Sequence, residues 1–145
     1  MEKIPQKTSV IALVHFLRGG VFVPIIASLV IGGPILFYIA MSNNGKLDET
    51  IGTIVSIPIM ILGAFLGGIY SAKHIGKKYI ITDPTGVVRQ SAIIMVVVSL
   101  LLGANEFLSN PIWKLIQTVG MTVAFYAASN KYVRNSDEMN DNQNI

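Results

Sequence analysis

Cysteine is absent from the 145 residues, which removes disulfides, thiolate nucleophiles and Cys-ligated metals together. Histidine occurs only as His15 and His74, too few for a His-rich metal site. Charge is scarce as well. Only 13% of residues are Asp, Glu, Lys or Arg, where soluble domains carry about 25%. Catalytic signatures are missing in the same way: there is no H-E-x-x-H, no S-x-x-K, no G-x-S-x-G, no Walker sequence and no carboxylate pair. Ser56 and Ser99 are placed for an intramembrane nucleophile, yet neither has a base on its own helix at hydrogen-bonding spacing. No acid lies deep inside an apolar segment, which is where proton-coupled small transporters keep one. The expectation is a protein that is not an enzyme and that holds no cofactor or metal.

What is present is apolar residue: 52% of the chain, with a mean hydropathy of +0.59. These values describe an all-α integral membrane protein. The stretch Ile51 to Ala72 runs for 22 residues without a charge and ends at Lys73. At about 1.5 Å per residue it crosses a hydrocarbon core of about 30 Å. Gly52, Ser56, Gly63 and Gly67 fall within an arc of about 60° on its helical projection, with Ser71 just beyond. A seam of small residues lets another backbone come close where lipid supplies no hydrophobic drive, so these positions are expected to be a packing face.

The first 41 residues are too long for one perpendicular span, and Arg18-Gly19-Gly20 is the expected break. Before it, residues 4–18 read either as an interfacial amphipathic helix or as an extension of the first span. A cleaved signal peptide is the third option, opposed by His15 and Arg18 and by the lack of an A-x-A-like site. His15 itself is expected at headgroup level beside Lys7 and Arg18. The first span covers residues 21–41 and contains Gly32, Gly33 and Pro34 near its middle. Pro34 withdraws the donor that would bond the carbonyl of Val30, so a kink is expected there, or a broken-helix substrate site.

Later spans are expected near 51–72, 86–108 and 111–130, giving a bundle of four transmembrane helices over residues 1–134 and a disordered polar tail over 135–145. Asp83-Pro84 and Asn110-Pro111 supply N-cap and first-turn residues for the third and fourth helices. A small hairpin around DPTG is the alternative at the former. Ser99, Gly103 and Glu106 share a face with Ala92 on the third span. Lys114, Thr118, Thr122 and Tyr126 form a polar stripe on the fourth.

Nine Lys and Arg fall in the N-terminal part, the Lys73–Arg89 loop and the tail, against two, Lys46 and Lys114, in the opposite regions. The positive-inside rule then places both termini in the cytoplasm of a multi-pass plasma-membrane protein. Lys73, Lys77, Lys78 and Arg89 lie beside apolar spans without interleaved aromatics, so their expected partner is the anionic inner leaflet and not nucleic acid. Glu106 and Lys114 are opposite charges across a short turn and read as a structural ion pair, or as a gate or solute contact. The leading expectation of function is a subunit or accessory protein that packs on copies of itself or on another membrane protein. The alternative is an oligomeric transporter or channel for a small solute or a lipid-linked substrate.

Overall fold

The structure, a computed structural model, describes residues 3–43, 45–46 and 48–141. It is almost wholly helical, with α1 (Thr8–Ser42), α2 (Glu49–Lys78), α3 (Pro84–Leu102), the short α4 (Ala104–Ser109) and α5 (Pro111–Asp141) in order. Two short strands, β1 (Ile4–Pro5) and β2 (Tyr79–Ile80), pair in parallel and tie the N-terminal segment to the loop after α2. α1, α2 and α3 are each long and apolar enough to cross a membrane. α5 is equally long but is not in that group, because Lys114, Gln117 and its threonines interrupt the apolar run.

The expected break at Arg18-Gly19-Gly20 does not occur. α1 is one continuous helix of 35 residues, and residues 8–18 extend it instead of lying apart. Its irregularity takes another form. Two π-helical turns, Phe16–Phe22 and Ser28–Gly32, stand just ahead of Pro24 and Pro34. In them Val23 N–H donates to the Arg18 carbonyl and Gly33 N–H to the Ser28 carbonyl, each five residues back. Proline cannot bond the carbonyl four residues before it, and widening the preceding turn lets the helix continue past the missing donor. At about 1.5 Å per residue α1 is roughly 52 Å long, well beyond a hydrocarbon core of about 30 Å.

α2 runs antiparallel to α1, with Ser71 beside His15, Gly67 against Gly19, and Gly63 against Pro24. α5 runs parallel to α2, with Gln117 at Met60, Gly120 at Ile61, and Phe125 and Ser129 at Gly68. α3 lies parallel to α1, with Ser91 at Ala12 and Met95 near Gly20. The close approaches require glycine. A Cβ on Gly19 would stand 2.5 Å from the Gly67 carbonyl oxygen, and one on Gly63 would stand 2.7 Å from Pro24 Cα. The core has two layers. Ile11, Ala12, Ala72, Ile75, Val87, Val88 and Val133 fill the end that carries Lys73, Lys77, Lys78 and Arg89, hereafter the basic end; Phe16, Ala64, Met95, Met121 and Phe125 fill the middle.

Both Asp caps form. Asp48 accepts from Thr50 N–H at 2.7 Å to start α2, and Asp83 accepts from Gly86 N–H at 2.8 Å to start α3, so the hairpin alternative is not adopted. α3 stops at Leu102, short of the expected 108. Gly103 turns the chain into α4, which Asn110 and Pro111 close before α5 begins. α5 continues past the expected end at 130, so residues 135–141 of the expected tail are helical backbone; residues 142–145 lie outside the described residues.

Candidate functional site

At the end opposite the basic one, the turn at Gly103 folds α4 back so that Glu106 faces the first turn of α5. Lys114 Nζ donates to Glu106 Oε2 at 2.6 Å. The lysine stem lies across Gly103, where a Cβ would overlap Lys114 Cε. The two partners differ in solvation: the Lys114 side chain is 15% exposed and that of Glu106 is 71% exposed. Water therefore reaches the carboxylate freely and the ammonium poorly, so each partner needs the other to a different degree.

This pair divides two adjoining cavities. The outer one, about 440 Å³, is lined by Thr53, Ser56, Ser109, Asn110 and Trp113 among others. The deeper one, about 260 Å³, carries Ser99 and Thr118 on walls made by Phe16, Val98, Met95 and Met121. Met60, Glu106, Lys114 and Gln117 line both, and Gln117 Nε2 donates to Met60 Sδ at 2.8 Å. Thr118 is only 6% exposed and its hydroxyl has no hydrogen-bond partner. A buried hydroxyl left unpaired costs about 1–3 kcal/mol. The arrangement suits a small solute with a charged or polar head and a short apolar body.

Residues that the sequence placed in separate groups meet here. Ser56 from the α2 seam borders the outer cavity, Ser99 and Gly103 from the α3 face border the deeper one, and the Glu106–Lys114 pair borders both. The rest of the seam lies elsewhere. Gly63 and Gly67 are buried against α1, Ser71 is buried beside His15, and Gly52 sits partly exposed near the start of α2. That seam joins helices within one chain. Gly32 packs on Ile59, Gly33 has nothing within 4 Å of a Cβ position, and Pro34 is exposed on the apolar face of α1. Lys73, Lys77, Lys78 and Arg89 are exposed at the basic end, with Lys73 Nζ 5.2 Å from the Tyr132 ring centroid.

His15 faces the interior of the bundle. It is fully buried, with Nδ1 2.8 Å from Ser71 Oγ, Nε2 2.9 Å from Ser129 Oγ, and its ring 4.8 Å from that of Phe125. Ser71 Oγ also donates to the His15 carbonyl at 3.1 Å. With its proton spent there, the Ser71 oxygen accepts from Nδ1–H, and Nε2 accepts from Ser129 O–H: a neutral imidazole with both nitrogens satisfied. One side chain so joins α1, α2 and α5 between the deeper cavity and the basic end. Nothing local in the sequence marks this, because the partners stand 56 and 114 residues away. Among the described residues no three His, Asp or Glu side chains are grouped to hold a metal. Comparison with protein-family models, curated proteins and solved structures finds no match.

Proposed function

We propose that this chain is a small, non-enzymatic plasma-membrane protein that binds a small polar or zwitterionic solute in an outward-facing vestibule, as a unit of the transporter or channel kind. The observation that carries this reading is Lys114, a poorly solvated cation between two cavities, with the unpartnered Thr118 hydroxyl one helical turn deeper. The other readings have less support. The small-residue seam that an accessory subunit would present to a partner is covered by α1. The Ser129–His15 contact has the reach of a nucleophile and base, but both residues are 0% exposed and a substrate has no access to them. The same reading has four crossings with cytoplasmic termini, supported by the nine-to-two cation count and by α5 lying along α2, a helix apolar enough to span.

Trp113 is the only tryptophan and it lines the outer cavity, so its fluorescence reports occupancy. Purified protein titrated with amino acids, quaternary ammonium zwitterions and short carboxylates should show a saturable change with at least one class, lost in Lys114→Gln. No response to any of them would sink the solute-binding reading. Orientation is tested separately in this cysteine-free chain. Ser109→Cys should react with an impermeant thiol reagent from outside the cell, and Thr85→Cys should not; the reverse labelling overturns the topology.

A subunit role keeps one observation in its favour. Leu29, Val30, Phe37 and Tyr38 on the far half of α1 are at least 67% exposed, a face that another membrane helix would cover as readily as lipid.

A further inference from the structure

Two grooves on the bundle share one construction. The first, about 570 Å³, lies between α1 and α2 and is lined by Arg18, Phe22 and Ile26 on one wall and by Leu66 and Tyr70 on the other. The second, about 320 Å³, lies between α3 and α5 and is lined by Arg89, Ile93 and Val97 on one wall and by Thr122 and Tyr126 on the other. In each, an arginine is followed at four and eight residues by apolar side chains on the same helical face. In each, the facing helix offers a tyrosine four residues after its groove-lining partner. The walls of the second groove are carbon, so Arg89 meets it with its aliphatic stem. Neither arginine has an ion-pair partner among the described residues.

From this repeated constellation we propose that each groove is a binding site for one phospholipid, the phosphodiester held by Arg18 or Arg89 and an acyl chain lying along the apolar wall. Guanidinium is the side chain suited to this head. Its planar fork bonds phosphate oxygens in pairs, and it is more weakly hydrated than an ammonium, so it serves near the hydrocarbon boundary where a lysine would be drawn out to water. Both arginines sit toward the basic end of their helices, near the level of a headgroup, and the groove residues then run into the hydrocarbon. Tyr70 and Tyr126 have the amphipathic ring that favours the same boundary. The sites are separate from the vestibule, so they stand or fall independently of solute binding. They also differ from the exposed lysines at the basic end: Lys77 and Lys78 border neither groove and attract anionic lipid only by field.

Native mass spectrometry of delipidated protein, given phosphatidylglycerol or dioleoylglycerol in detergent, tests this. Wild type should retain two phosphatidylglycerol molecules and no dioleoylglycerol, which lacks the phosphate. Arg18→Gln and Arg89→Gln should each retain one, and the double variant none. Ile26→Trp and Val97→Trp leave the arginines in place and fill the grooves from exposed positions, and each should also lose one lipid. The Lys77→Gln, Lys78→Gln variant should keep both. An unchanged lipid count in the double arginine variant, equal retention of dioleoylglycerol, or no retained lipid in wild type overturns the proposal.

Discussion

The two ends of the bundle handle polar groups in opposite ways. Toward the basic end, His15, Ser71, Ser91 and Ser129 are all 0% exposed, and every one of them is hydrogen bonded. Ser91 Oγ lies 2.9 Å from the Ala12 carbonyl and 2.7 Å from that of Val87, so even the α1–α3 contact is bridged by a hydroxyl. Toward the other end, Thr118 is buried and unpaired, Lys114 is partly desolvated, and two cavities separate the helices. Satisfied polar groups without space pack the basic end shut; unsatisfied ones beside space leave the other end open. The same helices form both ends, because α2 and α5 meet closely at Gly68 and Gly120 and leave the outer cavity around Ser56 and Gln117.

The largest expected effect comes from breaking the closed end. Gly67→Leu puts a branched side chain where the Gly19 backbone already touches the Gly67 backbone, and backbone cannot move aside as a flexible side chain does. Overpacking of this kind costs about 1–3 kcal/mol or more. Folded yield in detergent should collapse, while Leu62→Ala, at a position 47% exposed, should match wild type. Equal yields for the two variants would show that α1 and α2 do not meet as described.

A smaller effect is expected at the imidazole. His15→Leu keeps much of the volume but strands the Ser129 hydroxyl in the core, at about 1–3 kcal/mol, while Ser71 keeps its bond to the backbone carbonyl of residue 15. Adding Ser129→Ala removes that orphaned group, so the double variant should regain much of the loss in a thermal unfolding comparison. If the double variant is no more stable than His15→Leu alone, His15 and Ser129 are not bonded partners.

How far the sequence led depends on whether a feature is local. The Asp83 cap, the Pro111 start of α5, the α2 seam and the Glu106–Lys114 pair are set by spacings of a few residues, and the residues alone suffice to find them. α1 was misread because Gly19-Gly20 resembles a turn when taken by itself. In the fold Gly19 is used for its lack of a side chain against Gly67, and the adjacent irregularity is a π turn ahead of Pro24. The partners of His15 are not legible in the sequence because α2 and α5 supply them, and no pattern within α1 names them. The cavities were illegible for the same reason: Ser56, Ser99 and Thr118 are ordinary small polar residues until three helices bring them to one space.

The finest test of the contrast is the ion pair at the open end, where the two partners should not be equivalent. Glu106→Gln leaves an ammonium that is 15% exposed without its carboxylate, whereas Lys114→Gln leaves a carboxylate that is 71% exposed and already held by water. The first substitution should therefore be the more damaging, although Lys114 can turn outward along its stem and hold the difference below about 1 kcal/mol. Changing both residues to Gln should return stability to near wild type, since no charge is then stranded. Solute binding separates strut from site in the same variants. A pair that only braces the α3–α5 turn predicts that the double variant still gives the Trp113 response. A pair that contacts the solute predicts a double variant as stable as wild type and silent in fluorescence. The second outcome is expected, because Lys114 and Glu106 line both cavities.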